Sequence, residues 1–211
     1  EDPGNVSVPL GDIKKDGMVS RTYESDAKLS PAEVKKFCLD NKLNRSAFFN
    51  AAFAYLLSEY TNDEKALFTT VNNGRSGPET ARTFAMLVKT IPVACRIDGE
   101  ETVVSFVSSV KDQIKKSLSH DLFSFAEIAQ EHEVSDDVML SMQGEIADWE
   151  TFGGEKIDQF RHLDDEAQRP LSLDVYYVGS KITYFGDDRS NFLPANLRLG
   201  ASLMIPVDEY N

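Results

Sequence analysis

Histidine is scarce in this chain. Only His120, His132 and His162 occur among 211 residues, and no two are adjacent. There is no HExxH helix, no GxSxG elbow and no GxxxxGK[ST] loop, so the usual signatures of zinc hydrolases, serine hydrolases and P-loop enzymes are missing. Cysteine is limited to Cys38 and Cys95, each among apolar neighbours. They read as two buried, reduced thiols rather than a metal pair or a disulfide, which fits a cytoplasmic protein. Positive charge is also in deficit: 22 Lys and Arg face 35 Asp and Glu, for a formal net charge of −13. That balance argues against a nucleic-acid backbone or an anionic membrane as partner. No apolar run approaches the ~20 residues that would cross a bilayer. The start, Glu1-Asp2-Pro3-Gly4-Asn5, is acidic and turn-forming, with no initiator Met and no secretory signal pattern. It leads us to expect a piece of a longer chain.

What remains is enough for one sizeable domain, since 41% of the residues are hydrophobic and 27% charged. Residues 1–17, with Pro3, Gly4, Pro9, Gly11 and Gly17, read as a linker or lead-in, and residues 18–211 as a single domain. A strand is expected within 18–27. Ser30-Pro31-Ala32-Glu33 then opens a helix to about Asn41, with Ser30 as cap, Pro31 in the first turn and Glu33 completing a capping box. Asn44 caps a longer helix on which Phe48, Phe49, Ala52, Phe53, Leu56, Leu57 and Tyr60 share one broad apolar stripe. Residues 66–72 read as a buried strand running into the loop Asn73-Gly74-Arg75-Ser76-Gly77-Pro78. A second strand is expected over 87–97, where Pro92 points to an edge or a bulge.

Val103, Phe106, Val107, Val110, Ile114 and Leu118 keep helical spacing from Thr102 to Leu118. Ser124 and Glu127 repeat the capping-box pattern and open a short helix through Ala129, with Phe123, Phe125 and Ile128 expected in the core. Residues 137–143 alternate like a strand, and 144–169 look like a polar surface excursion. Leu171–Tyr177 and Lys181–Phe185 form a hairpin around Gly179. The tail from Asp187 is ambiguous, because Pro194 and Gly200 interrupt its helical spacing. Intermingled helices and strands indicate a mixed α/β (α+β) fold, a mixed sheet with helices packed on it.

Chemistry is sparse. His120 and Asp121 are sequence neighbours, which do not ordinarily face each other. His132 lies between Glu131 and Glu133 on what reads as a solvated helix end, and His162 sits in the polar excursion. Asn73, Gly74 and Arg75 follow a strand, so Arg75 is either a plain exposed loop residue or faces a cleft at the strand end. Ser141 and Gln143 share one face of a strand if the two-residue period holds, and are candidate cleft residues or ordinary sheet residues.

The order of these pieces resembles condensation domains of nonribosomal peptide synthetases. In that family an Ala-rich helix leads to a strand closing in Gly-Arg, then an "iGxFvNTlPlR" segment, a helix, and "HQDyPFe". Here Ala51-Ala52-Phe53-Ala54-Tyr55-Leu56-Leu57 precedes Asn73-Gly74-Arg75. Val88-Lys89-Thr90-Ile91-Pro92-Val93 is similar to "vNTlPl", and His120-Asp121-Leu122-Phe123-Ser124-Phe125 to the last segment. Ala85 and Lys89 stand where the family has Gly and Asn, and Thr69 where Gly is usual.

The resemblance implies a chloramphenicol acetyltransferase-like lobe. It implies a role in secondary metabolite biosynthesis: one wall of a cleft where amide bonds form between building blocks tethered to carrier proteins by phosphopantetheine. No cofactor would be bound directly. The family's HHxxxDG motif, which supplies its key histidine, is absent, so the chain resembles the C-terminal lobe and would be inactive alone. Its implied partners are the HHxxxDG-bearing N-terminal lobe and peptidyl carrier proteins, with self-association of the isolated lobe left open. The implied cleft residues are Asn73, Gly74, Arg75, Ser141 and Gln143. A lobe of a related coenzyme A- or carrier-dependent acyltransferase, or a non-catalytic interaction module, remains open alongside it.

Overall fold

The computed structural model describes residues 21–26, 28–75, 78–120, 123–132, 138–144, 151–152, 155–156, 171–178 and 181–188. The expected lead-in 1–17, His162 and the tail after Asp188 lie outside them. Both N-terminal helices begin where their caps stand. In α1 (Pro31–Asp40) the Ser30 hydroxyl accepts from the Glu33 N–H while the Glu33 carboxylate accepts from the Ser30 N–H, a reciprocal box that satisfies two otherwise orphaned donors. In α2 (Arg45–Thr61) the Asn44 side chain accepts from the Ala47 N–H at 2.7 Å. The helix stops at Asn62, whose left-handed φ of 52° suits an asparagine.

The strands are β1 (Arg21–Asp26), β2 (Lys65–Asn72), β3 (Lys89–Arg96), β4 (Val138–Gly144), β7 (Leu171–Val178) and β8 (Lys181–Asp188). They make one six-stranded sheet in the order β1-β8-β7-β4-β2-β3. The pairs β2–β4 and β4–β7 are parallel, and the other three are antiparallel. Within the expected polar excursion, β5 (Thr151–Phe152) and β6 (Glu155–Lys156) form a separate two-stranded ribbon. The remaining helices are α3 (Val103–Ser119) and α4 (Phe125–His132). The latter runs three residues beyond the Ala129 end expected from sequence.

The core lies between the sheet and α1–α3. Phe53 of α2 is fully buried and meets Phe68 of β2 edge to face, with ring centroids 5.1 Å apart. Leu140, Leu173, Val175 and Ile182 continue this layer across the sheet, and Val107 and Val110 close it from α3. Near the N-terminus of α2, the Arg45 guanidinium carbon sits 4.9 Å from the Tyr177 ring centroid, tying that helix to β7. Ala66 to Thr70 are buried without a break, as expected for a central strand covered on both faces.

Pro92 falls on β3, the sheet's outer strand, where a missing N–H costs no ladder bond. The Gln113 side chain of α3 donates to the Ala94 carbonyl. The edge is therefore blunted at two neighbouring outward positions.

Beside it, Cys95 is buried against α3, and burial pushes its thiol up to about 12. A thiol raised in the folded state contributes stability fully below its unfolded value near 9, and that contribution is lost as pH climbs toward about 12. Native Cys95 should resist iodoacetamide at about pH 8 and react once urea unfolds the chain. Rapid labelling of the native protein, read by mass spectrometry, would show that β3 and α3 are not packed together.

One expectation fails in this region. Phe123, Phe125 and Ile128 do not enter the core: Phe123 is 65% exposed, and α4 has no buried residue among those described. Among the described residues the short helix packs chiefly on β3 at the sheet edge, so its apolar side is half covered.

Candidate functional site

Three parallel strands, β2, β4 and β7, end on the same side of the sheet, where open α/β sheets commonly place their ligands. The loop leaving β2 is built by two successive side-chain turns. Asn72 Oδ1 accepts from the Gly74 N–H at 2.8 Å, and Asn73 Oδ1 from the Arg75 N–H at 3.0 Å. Gly74 has φ +67°, and a Cβ placed there would lie 1.9 Å from the Leu87 carbonyl oxygen. The two ends of the loop thus touch backbone to backbone, which only glycine permits.

Arg75 answers the question left by the sequence in a third way. Its guanidinium turns back on its own loop and donates to the carbonyls of Thr80 (2.8 Å), Thr83 (2.7 Å) and Ala85 (3.1 Å). A planar fork with several donors can tie three carbonyls at once, which an ammonium cannot match in geometry.

The result is a braced loop that holds apolar side chains in water. Phe84 is fully exposed, Met86 is 88% exposed and Val88 54%, at alternate positions just before β3 begins. Fully solvated Phe and Met side by side are unusual, because each forgoes the ~1.5–3 kcal/mol that burial provides. The sequence reading merged this segment into the following strand and the family motif. Its one available signal was the two-residue alternation of apolar residues outside any partner strand.

Ser141 of β4 is buried, and so is Thr69 of β2, which pairs with Met139 and whose hydroxyl donates to the Val138 carbonyl at 3.3 Å. The β4–β7 register skips a residue between Met142 and Gly144, so Gln143 falls at a bulge. Asn73–Arg75 and Ser141–Gln143 share the carboxyl end of the sheet, on adjacent parallel strands.

A cavity of about 190 Å3 opens at this end, between the start of α2, the end of β2 and α3. Asn44, Ser46, Thr70 and Asn72 supply its polar atoms, together with Lys111, which donates to the Lys42 carbonyl at 3.1 Å. No group of three His, Cys, Asp or Glu among the described residues is placed to hold a metal ion. The arrangement offers shape and apolar contact more than acid–base chemistry.

The sequence profile of the condensation domain matches residues 9–184. The chain belongs to the condensation-domain family. Surfactin synthase subunit 2 of Bacillus subtilis is 24% identical over 152 residues, covering 68% of this chain and 4% of that subunit. The chain thus spans a few per cent of the length of the curated relatives it matches. Among solved structures, the condensation domain of the monacolin K polyketide synthase MokA superposes with a TM-score of 0.70 at 13% identity, covering 90% of this chain and 49% of that one. PapA2 acyl transferase gives 0.69 at 14% identity, covering 94% and 45%. The fold is therefore the chloramphenicol acetyltransferase-like one that the resemblance implied.

Proposed function

We propose that residues 18–211 are the C-terminal lobe of a condensation domain. In this reading the lobe forms one wall of the cleft in which an amide bond joins building blocks carried as phosphopantetheine thioesters on carrier proteins. The observation that carries it is the solvated ridge Phe84, Met86 and Val88, braced by Arg75 and Gly74 at the carboxyl end of the sheet. A lobe that stands alone gains nothing from holding those side chains rigidly in water, whereas one that docks a second lobe gains a hydrophobic anchor. The chain matches about half of each of these two solved chains, which supports reading it as one of two lobes.

The sequence has no adjacent histidines, so the proton transfer of amide formation falls to the partner lobe bearing HHxxxDG. This lobe would contribute by holding the two tethered reactants, an effect that can lower a barrier by up to ~7–11 kcal/mol. The likeness to PapA2 acyl transferase favours a second reading, the lobe of a related coenzyme A- or carrier-dependent acyltransferase.

The test is co-expression with an HHxxxDG-bearing lobe. We expect a 1:1 complex that forms amide from loaded carrier proteins, and at least about tenfold weaker association when Phe84→Ser and Met86→Ser are combined. Turnover by this chain unaided, or unchanged association of the double variant, would sink the proposal. Acyl transfer to an acceptor other than a carrier-bound amine, without amide formation, would select the acyltransferase reading.

A further inference from the structure

Asn73 and Gly74 form the one Asn-Gly step in the chain. Such a step is chemically fragile. The peptide nitrogen that follows an asparagine can attack its side-chain amide, and a glycine there has no Cβ to obstruct the approach. The Gly74 nitrogen gives up its proton and bonds to Asn73 Cγ. The Cγ–Nδ2 bond breaks, and the amide group takes up the proton and leaves as ammonia. Water then opens the five-membered imide at either carbonyl, leaving aspartate or isoaspartate at position 73. Water is the only co-reactant, and Asn73 is exposed to it.

The closed loop withholds both reacting groups. The Gly74 N–H is engaged on Asn72 Oδ1 at 2.8 Å, and Asn73 Oδ1 accepts from the Arg75 N–H at 3.0 Å. Attack needs the nitrogen without its proton, and a hydrogen-bonded N–H releases that proton only when the bond opens. A carboxamide held at Arg75 is not free to turn toward that nitrogen. Opening is resisted from further along the loop as well. Arg75 ties the carbonyls of Thr80, Thr83 and Ala85, and Gly74 lies against the backbone of Leu87.

We propose that Asn73 is a latent deamidation site guarded by this loop, and that its conversion to isoaspartate unlatches the segment carrying Phe84 and Met86. Isoaspartate routes the backbone through the former side chain, which lengthens the path from residue 73 to Gly74 by one atom. The fit of Gly74 against Leu87 leaves no room for a displaced chain, so a loop that has reacted cannot close as before. The inference concerns the loop's own chemistry and does not depend on what the exposed ridge docks.

It is tested by ageing the 211-residue chain at mildly alkaline pH and following position 73 by peptide mass spectrometry, with electron-transfer fragmentation to tell isoaspartate from aspartate. Conversion should be at least about tenfold slower in the folded chain than in urea, because only opened loops react. Hydrogen exchange at the Gly74 N–H of the folded wild-type chain should show protection of similar size. Asn72→Ala removes the acceptor and should speed conversion about fivefold, the worth of one hydrogen bond, whereas Asn72→Asp keeps an acceptor and should stay slow. In the purified isoaspartate form, amide shifts over Ala85–Val88 should depart from those of the parent. The guarding is overturned if folded and unfolded chains convert alike, if Asn73 survives intact in urea, or if Asn72→Ala melts like the parent and converts no faster. Parent-like shifts over Ala85–Val88 in the isoaspartate form would overturn the unlatching. Should Asn72→Ala fail to fold, the folded-to-unfolded ratio and the Gly74 exchange in the wild-type chain still decide.

Discussion

Replacing Gly74 with alanine should cost the chain about 3 kcal/mol or more and unmake the loop after β2. Two separate penalties act. A left-handed backbone costs an L-residue roughly 1–2 kcal/mol, and the φ of +67° at Gly74 lies in that region. The larger penalty is steric, since the new methyl would sit 1.9 Å from the Leu87 carbonyl oxygen, well inside any tolerable contact. The obstacle is backbone and cannot swing aside. Relief therefore requires the strand-proximal ends of the loop to part, which also pulls Ala85 away from the Arg75 guanidinium. Urea denaturation of Gly74→Ala and Gly74→Asn separates the two terms. Asparagine tolerates a left-handed backbone but brings the same Cβ, so it should recover little of the loss. A Gly74→Ala chain within about 0.5 kcal/mol of the parent would show that the loop ends do not touch.

The local framework was legible because its causes are local. Ser30, Pro31, Glu33 and Asn44 announce two helix starts by side-chain chemistry, and both helices begin there. Pro92 announced an edge strand because its missing N–H can be tolerated in few other places, and β3 is the edge. Other features depend on a distant partner. Strand β3 was expected from residue 87 but starts at Lys89, because its partner β2 ends at Asn72. The two apolar residues left over join Phe84 and Met86 outside the ladder. Apolar spacing on α4 marked one face, yet spacing cannot say that its chief neighbour would be an edge strand. Arg75 was read as open or cleft-facing because its partners are three backbone carbonyls five to ten residues on, which carry no side-chain signature. The skipped residue near Gln143 depends on the register of β7, some thirty residues later.

These features fit a consistent division of the surface. An outer strand is ordinarily the hazardous part of a sheet, because its unpaired backbone invites other strands. Here Pro92 removes a donor from that edge and Gln113 occupies a neighbouring acceptor. The chain blunts its β3 edge while leaving a side-chain ridge open. Side-chain ridges select partners by shape, and backbone edges do not, so this division favours one docking partner over indiscriminate pairing.

The second large effect follows from contrasting two phenylalanines. Phe53→Ala should destabilise the chain by about 3–5 kcal/mol, because it removes a fully buried ring from α2 and leaves Phe68 without its edge-to-face partner. Neighbours on α2 and β2 are held by helix and ladder bonds, so the vacated space cannot collapse readily. Against a typical domain stability of 5–15 kcal/mol, that loss is enough to populate unfolded chain at physiological temperature. Phe84→Ala removes the same atoms from a site with no packing, and should leave the melting temperature of the isolated chain unchanged or slightly raised. Its cost should appear only when a second lobe is offered, as a faster dissociation. Thermal melts of the two variants alone, and binding of each to the HHxxxDG lobe, separate what folds this chain from what it was shaped to meet. If Phe84→Ala instead lowers the melting temperature as much as Phe53→Ala, the ridge belongs to the core of this lobe and the docking argument loses its footing.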